Sequence, residues 1–200
     1  MVQSFLSVSV WFIFFLAIEH LGERPLAVTN IVRNIAAMLI MIISAFATTA
    51  GALISNQIGA GEQRFLFKTC RMTLNLAYAL LIPLLIVLCL FPEPILRIFT
   101  DNPSLITASI PSVYIMATST LISAPAFILF NAVSGTGNTR AGFVMEMITL
   151  AVYTAAVYYG VIVLKPDVAL CWFSEHIYGI VLISLTWWYL KSGRWRGKKV

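Results

Sequence analysis

Residues Ala47 to Arg64 read Ala-Thr-Thr-Ala-Gly-Ala-Leu-Ile-Ser-Asn-Gln-Ile-Gly-Ala-Gly-Glu-Gln-Arg. The stretch starts inside a long apolar run and becomes smaller and more polar. It ends in Gly59-Ala60-Gly61, with charge following at once. That pattern is a membrane helix running out into a tight loop on one side of the bilayer, where glycine supplies the φ > 0 of the turn. Ser44, Ala45, Thr48, Thr49, Gly51, Ala52 and Ser55 make a small-residue face. In lipid, such faces let a neighbouring backbone come close.

Composition points the same way. Of 200 residues, 60% are hydrophobic and 10% charged, and the mean hydropathy is +0.92. A soluble domain carries about 25% charged residues, so this chain cannot cover a water-facing surface and reads as an integral membrane protein. The net charge of +5 does not mark a nucleic-acid binder, because Lys191, Arg194, Arg196, Lys198 and Lys199 crowd the last ten positions after an apolar run. Those are anchoring positions at a cytoplasmic face. Cys70, Cys89 and Cys171 are scattered without metal-ligand spacing, and no metal site or cofactor is expected. The N-terminus lacks a basic lead-in and a small-residue cleavage site, so the first helix is expected to be retained.

Spanning takes roughly 20 mainly apolar residues. About six runs qualify: 2–18, 35–58, 72–91, 106–133, 143–164 and 168–190. The links between them are rich in Gly, Pro, Asn and Asp, which are turn residues with backbone reasons. The fold class is therefore all-α: a six-helix membrane lobe over residues 1–190 and a basic cytoplasmic tail over 191–200. With the N-terminus inside, the inner loops and tail hold Arg64, Lys68, Arg71, Arg140 and the five terminal cations, against Arg24, Arg97 and Lys165 outside. This bias puts both termini in the cytoplasm.

Polar residues inside the apolar runs mark surfaces that face protein or water. The fourth run is the richest, with Ala117-Thr118-Ser119-Thr120-Leu121-Ile122-Ser123-Ala124-Pro125. Ser119 and Ser123 share a helix face, and Pro125 removes a backbone donor and is expected to kink the helix. Two readings remain open there: a cavity-lining, bendable helix, or packing through hydroxyls bonded to their own backbone. Asn30 and Asn34 flank Arg33, which is expected near the outer surface beside Glu19 or Glu23. Glu175 and His176 enter the sixth run after Trp172-Phe173. Glu175 is the ion or proton candidate, since an intramembrane acid marks such a site by default. An interfacial position is the competing reading. The Gly-rich loops lack the Lys-Ser/Thr of a phosphate loop, and no catalytic constellation appears. The chain is not expected to be an enzyme.

Three stretches resemble one family. Ile58-Gly59-Ala60-Gly61-Glu62, Leu21-Gly22-Glu23-x-x-Leu26-Ala27-Val28-x-Asn30-Ile31-Val32 and Gly135-Thr136-Gly137-Asn138-Thr139, in this order between these helices, are similar to the multidrug and toxic compound extrusion (MATE) transporters. The resemblance implies a fold of about twelve helices in two related six-helix lobes, of which this chain resembles the C-terminal lobe. It implies antiport: cationic or amphipathic organic compounds leave across the bacterial cytoplasmic membrane while Na⁺ or H⁺ enters. The lobes would rock about a cleft. Asn34, Thr48, Ser119, Ser123 and Asn131 are the substrate-cleft candidates, and Gly59, Gly61, Gly135, Gly137 and Pro125 the hinge and loop candidates. The acids of one sodium-coupled branch are replaced here at about Ser7 and Ser123. The implied partners are membrane lipid, small organic cations, and a missing N-terminal lobe or a second copy. Two alternatives stand beside this: a lipid-linked saccharide flippase of the same superfamily, whose cleft should hold several Arg or Lys, and a truncated, non-transporting membrane fragment.

Overall fold

A computed structural model describes residue 12, residues 14–164 and residues 167–195. Most of the first run, Ser7 included, lies outside the described residues, as do Lys165, Pro166 and the tail beyond Trp195. The described elements are α1 (Glu23–Gly59), a 3₁₀ turn (Gln63–Phe65), α2 (Leu66–Leu90), a short α3 (Pro92–Leu96), α4 (Pro103–Gly135), α5 (Thr139–Val157) continuing as a π-helix (Tyr158–Val163), α6 (Val168–Cys171) and α7 (Phe173–Ser192). Five spans among the described residues are long and apolar enough to cross a bilayer. Residues 14–19, which end the first run, are helical. Phe14, Ala17 and Ile18 pack with Tyr153, Val157 and Val161 of α5 and its π-helical continuation.

Helix limits exceed the apolar runs, and the reason is physical. Helix α1 has 37 residues, about 55 Å at 1.5 Å per residue, against a hydrocarbon core of about 30 Å. It starts twelve residues before Ile35, in mixed sequence where Val28, Ile31 and Val32 are buried between charged and amide residues. Arg33 lies in that early part, 4.9 Å over the Phe15 ring, where a cation–π contact takes the place of the expected carboxylate.

Caps account for the ends. Gly61 has φ +77°, Glu62 N donates to Gln57 O at 2.7 Å and Gly61 N to Ile58 O at 3.1 Å. Those two bonds and the left-handed glycine are a Schellman cap. Gly137, at φ +76°, closes α4 in a similar way, and the next residue, Asn138, accepts from Ala141 N to start α5. Helix α4 opens on Asn102, whose side chain accepts from Ser104 N, with Pro103 in the first turn.

Helix α4 is the hub, packed against α1, α2 and α7, with α5 against α7 on the far side. Helices α1 and α4 are tied near both ends. At one end Arg24 Nη2 donates to Ser104 Oγ at 2.9 Å. At the other, a Cβ on Gly135 would stand 2.5 Å from Gly51 O, and one on Gly51 3.0 Å from Asn131 O. Close backbone approach of this kind is how helices gain dispersion energy in lipid. The small-residue face of α1 thus divides. Ile43, Ala47, Ala50 and Ile54 are buried and Gly51 meets α4, whereas Ser44, Ala45, Thr48, Thr49 and Ala52 remain exposed. Beyond Pro103, two further prolines, Pro111 and Pro125, sit in the interior of α4.

Candidate functional site

Proline 125 has no N–H for the carbonyl four residues back, that of Leu121. The structure supplies another donor: Tyr78 of α2 gives its hydroxyl hydrogen to Leu121 O at 2.7 Å. A backbone acceptor orphaned in hydrocarbon is costly, so α2 pins α4 at its proline. One turn away, Thr118 Oγ1 lies 2.8 Å from Ile115 O and 2.9 Å from His176 Nε2. A hydroxyl has one hydrogen, so the Thr118 hydroxyl serves either Ile115 O or His176 Nε2, according to the tautomer of the imidazole.

The polar candidates of α4 form a row. Ser119 is buried and donates to Met116 O; Ser123 is half-buried and donates to Ser119 O; Asn131 is half-buried and donates through Nδ2 to Phe127 O at 2.9 Å. The two hydroxyl hydrogens and one of the two amide hydrogens of Asn131 are thus spent on the helix itself. Their spacing of four, eight and twelve residues along α4 also places Phe127 in the row. The Phe127 ring lies 6.5 Å from that of Tyr178. Tyr178 in turn stands edge-on to Tyr153 at 5.8 Å, and Tyr153 donates its hydroxyl to Glu175 Oε1 at 2.7 Å. A continuous aromatic and polar seam therefore runs from α4 through α7 to α5.

Two carboxylates belong to this seam. Glu175 is half-buried, and Glu146 of α5 is buried, at 5% exposure. Glu146, Thr149 and Tyr153 fall at i, i+3 and i+7 on α5 and are all buried, so α5 presents one polar stripe to α7. Across the helix pair, Tyr153 of α5 serves Glu175 of α7. The sequence reading missed Glu146, Tyr153 and Tyr178. Glu146 carried a usable signal, an acid within an apolar run; the tyrosines carried none without the pairing of α5 and α7.

The remaining candidates lie elsewhere. Asn34 and Thr48 are exposed on α1, and the Thr48 hydroxyl donates to Ser44 O. They belong to an open stripe, Asn34, Met38, Met41, Ala45, Thr48 and Ala52, spaced three and four residues apart. The structure does not bring this stripe onto the Glu175 seam. Gly59 ends α1 with nothing within 4 Å of a Cβ, so Gly61 alone carries the turn. Gly135 is a packing residue against Gly51. Past the end of the last run, Trp195 is buried and its Nε1 donates to Leu190 O at 2.8 Å, which folds the first residues of the basic tail back on the lobe.

Long apolar helices joined at glycine contacts around a polar seam define an all-helical, multi-pass membrane protein. The MatE family model matches residues 1–159, and the chain belongs to that family. No curated protein matches it. Among solved structures, a mutant of the Vibrio cholerae MATE transporter VcmN is similar at a TM-score of 0.87 and 17% identity, over 98% of this chain and 45% of that one. A multidrug resistance MATE family transporter of the MOP superfamily, in an outward-facing conformation, is similar at 0.85 and 12% identity, over 100% of this chain and 45% of its own. A MOP superfamily transporter from Pyrococcus furiosus is similar at 0.79 and 13% identity, over 94% and 43%. The chain thus spans somewhat under half the length of the transporters whose fold it shares.

Proposed function

We propose that the chain is one lobe of a secondary antiporter that exports cationic or amphipathic organic compounds in exchange for Na⁺ or H⁺. The observation that carries the reading is the complete superposition of this chain on 45% of a multidrug resistance MATE transporter. The open stripe of α1, small and amphipathic, is suited to face a second lobe, with Asn34 and Thr48 as hydrogen-bonding wall residues of the cleft. The second lobe is either an N-terminal six-helix half or a second copy. Residues Ser119, Ser123 and Asn131 shape the α4 wall, and Pro125 is its point of bending.

In this reading Glu175 is the coupling acid of the lobe. Its placement fits: it lies in an apolar segment, one oxygen is held by Tyr153, and the Tyr178–Phe127 contact joins it to the α4 wall. Loading and release of a cation at Glu175 would alter the charge along a helix, α7, packed directly on α4. The protein resides in the bacterial cytoplasmic membrane with both termini inside, following the Lys/Arg bias, and acts as a carrier rather than an enzyme.

The test is dye and fluoroquinolone accumulation in efflux-deficient cells expressing the chain with and without a six-helix partner half. Lower accumulation that depends on the ion gradient supports the reading. Unchanged accumulation of every cationic compound, with or without a gradient, overturns it.

A further inference from the structure

Away from the seam, the turn end of α2 presents a second polar surface. A shallow, open depression along one face of this helix is lined by Lys68, Arg71, Met72, Asn75 and Leu76. Spacings of three and four residues set Lys68, Arg71 and Asn75 in one row and Met72 and Leu76 in the next. All five are exposed, and Met72 and Leu76 are 61% and 51% accessible. Helix α2 carries no Asp or Glu, so its own sequence does not neutralise the two cations.

Depth along the helix orders these groups. Lys68 and Arg71 fall within about 8 Å of the start of α2 at Leu66, and Met72, Leu76 and Leu80 continue the open surface to about 21 Å. Aromatic side chains mark the membrane boundary at this same level. Phe65 lies under Arg64 at 4.7 Å and under Lys68 at 5.8 Å. Phe67 meets Trp187 at 5.5 Å, and Arg194 lies over Trp188 at 5.3 Å. Such aromatic belts sit at headgroup depth. The depression therefore offers positive charge where lipid phosphates lie, a carboxamide next, and apolar surface below. That is the charge and polarity profile of an anionic glycerophospholipid, inverted.

We propose that this depression binds one anionic glycerophospholipid of the leaflet on the Gly61 side. The phosphate lies between Lys68 and Arg71, Asn75 donates to the ester region, and an acyl chain follows Met72 and Leu76. The site is independent of the transport reading. Charge complementarity chooses an anionic headgroup over a zwitterionic one, since a choline would return a positive charge to a basic row.

The experiment is native mass spectrometry of the detergent-purified chain titrated with phosphatidylglycerol, phosphatidylcholine or glycerol phosphate. The chain should retain one phosphatidylglycerol. The Lys68→Gln/Arg71→Gln double variant should bind it roughly thirtyfold more weakly, the loss expected for two near-surface cations. Arg140→Gln, which removes an exposed cation at the start of α5, should leave binding unchanged, and the charge-keeping Lys68→Arg/Arg71→Lys variant should retain it. Phosphatidylglycerol should raise the unfolding temperature of the chain and not of the double Gln variant. Equal retention by the double Gln variant, equal retention of phosphatidylcholine, or displacement by glycerol phosphate at comparable concentration would each overturn the assignment.

Discussion

Removing one hydroxyl tests how α4 tolerates its inner proline. In Tyr78→Phe the ring stays and the donor to Leu121 O, now at 2.7 Å, is lost. The orphaned carbonyl has no substitute on its own helix, because Pro125 has no N–H to return. An unsatisfied buried acceptor costs about 1–3 kcal/mol. Hydrogen bonds in membrane proteins average nearer 0.6 and reach about 1.7 kcal/mol, because the unfolded state in detergent or lipid also finds partners. Tyr78 is only half-buried, which argues for the lower figures, so about 1 kcal/mol is expected. The sharper test is the cycle with Pro125→Ala. Alanine restores an N–H aimed at Leu121 O, which makes the tyrosine hydroxyl redundant. Tyr78→Phe should then cost close to nothing in the Pro125→Ala background. The assay is denaturant unfolding in detergent, followed by far-UV circular dichroism, for the chain, both single variants and the double. Distant, independent sites add within about 0.3–0.5 kcal/mol. If Tyr78→Phe costs the same in both backgrounds within that margin, the stapled-proline account is wrong.

Other expectations follow from the same geometry. Gly135→Ala puts a Cβ 2.5 Å from Gly51 O, a backbone atom with no rotamer to move, and should destabilise by about 1–3 kcal/mol or more, read in the same unfolding assay. Gly61→Ala must hold a left-handed residue at φ +77° and should cost roughly 1–2 kcal/mol, while Gly59→Ala, with open space around it, should be neutral or slightly stabilising. Glu175→Gln should abolish the gradient dependence of dye export in cells while leaving membrane insertion intact. Tyr153→Phe, which removes only the 2.7 Å bond to Glu175, should weaken that dependence without abolishing it; full activity of Glu175→Gln would exclude Glu175 from coupling.

Much of the fold was legible in one dimension because membrane helices declare themselves by length and hydropathy. The closing turns were legible too: Gly61 and Gly137 fill positions where only glycine is unstrained. The start of α1 was not, since Glu23, Arg24, Asn30, Arg33 and Asn34 interrupt the apolar residues there and no unbroken apolar run marks it. The candidate site was legible only in part. Glu175 stood out as an acid in an apolar run, and Glu146 carried the same signal. The bond of Tyr153 to Glu175 depends on which helices are neighbours, and α5–α7 packing is not encoded in local spacing. The Tyr78–Leu121 bond is hidden for the same reason, its partners being 43 residues apart. Small residues misled in a different way. The α1 stripe contains two faces, and only tertiary contact tells that Gly51 meets α4 while Thr48 stays open.

The measurement that bears most directly on the half-transporter account is ion-gradient-driven movement of a fluorescent organic cation in proteoliposomes. The vesicles would hold the chain with a six-helix partner half, the chain alone, or the Glu175→Gln chain with the same partner. The account predicts uptake against the dye gradient when an opposing Na⁺ or H⁺ gradient is imposed on the paired lobes, and its loss with Glu175→Gln. Paired lobes that assemble in the membrane yet move no dye under either gradient would contradict it.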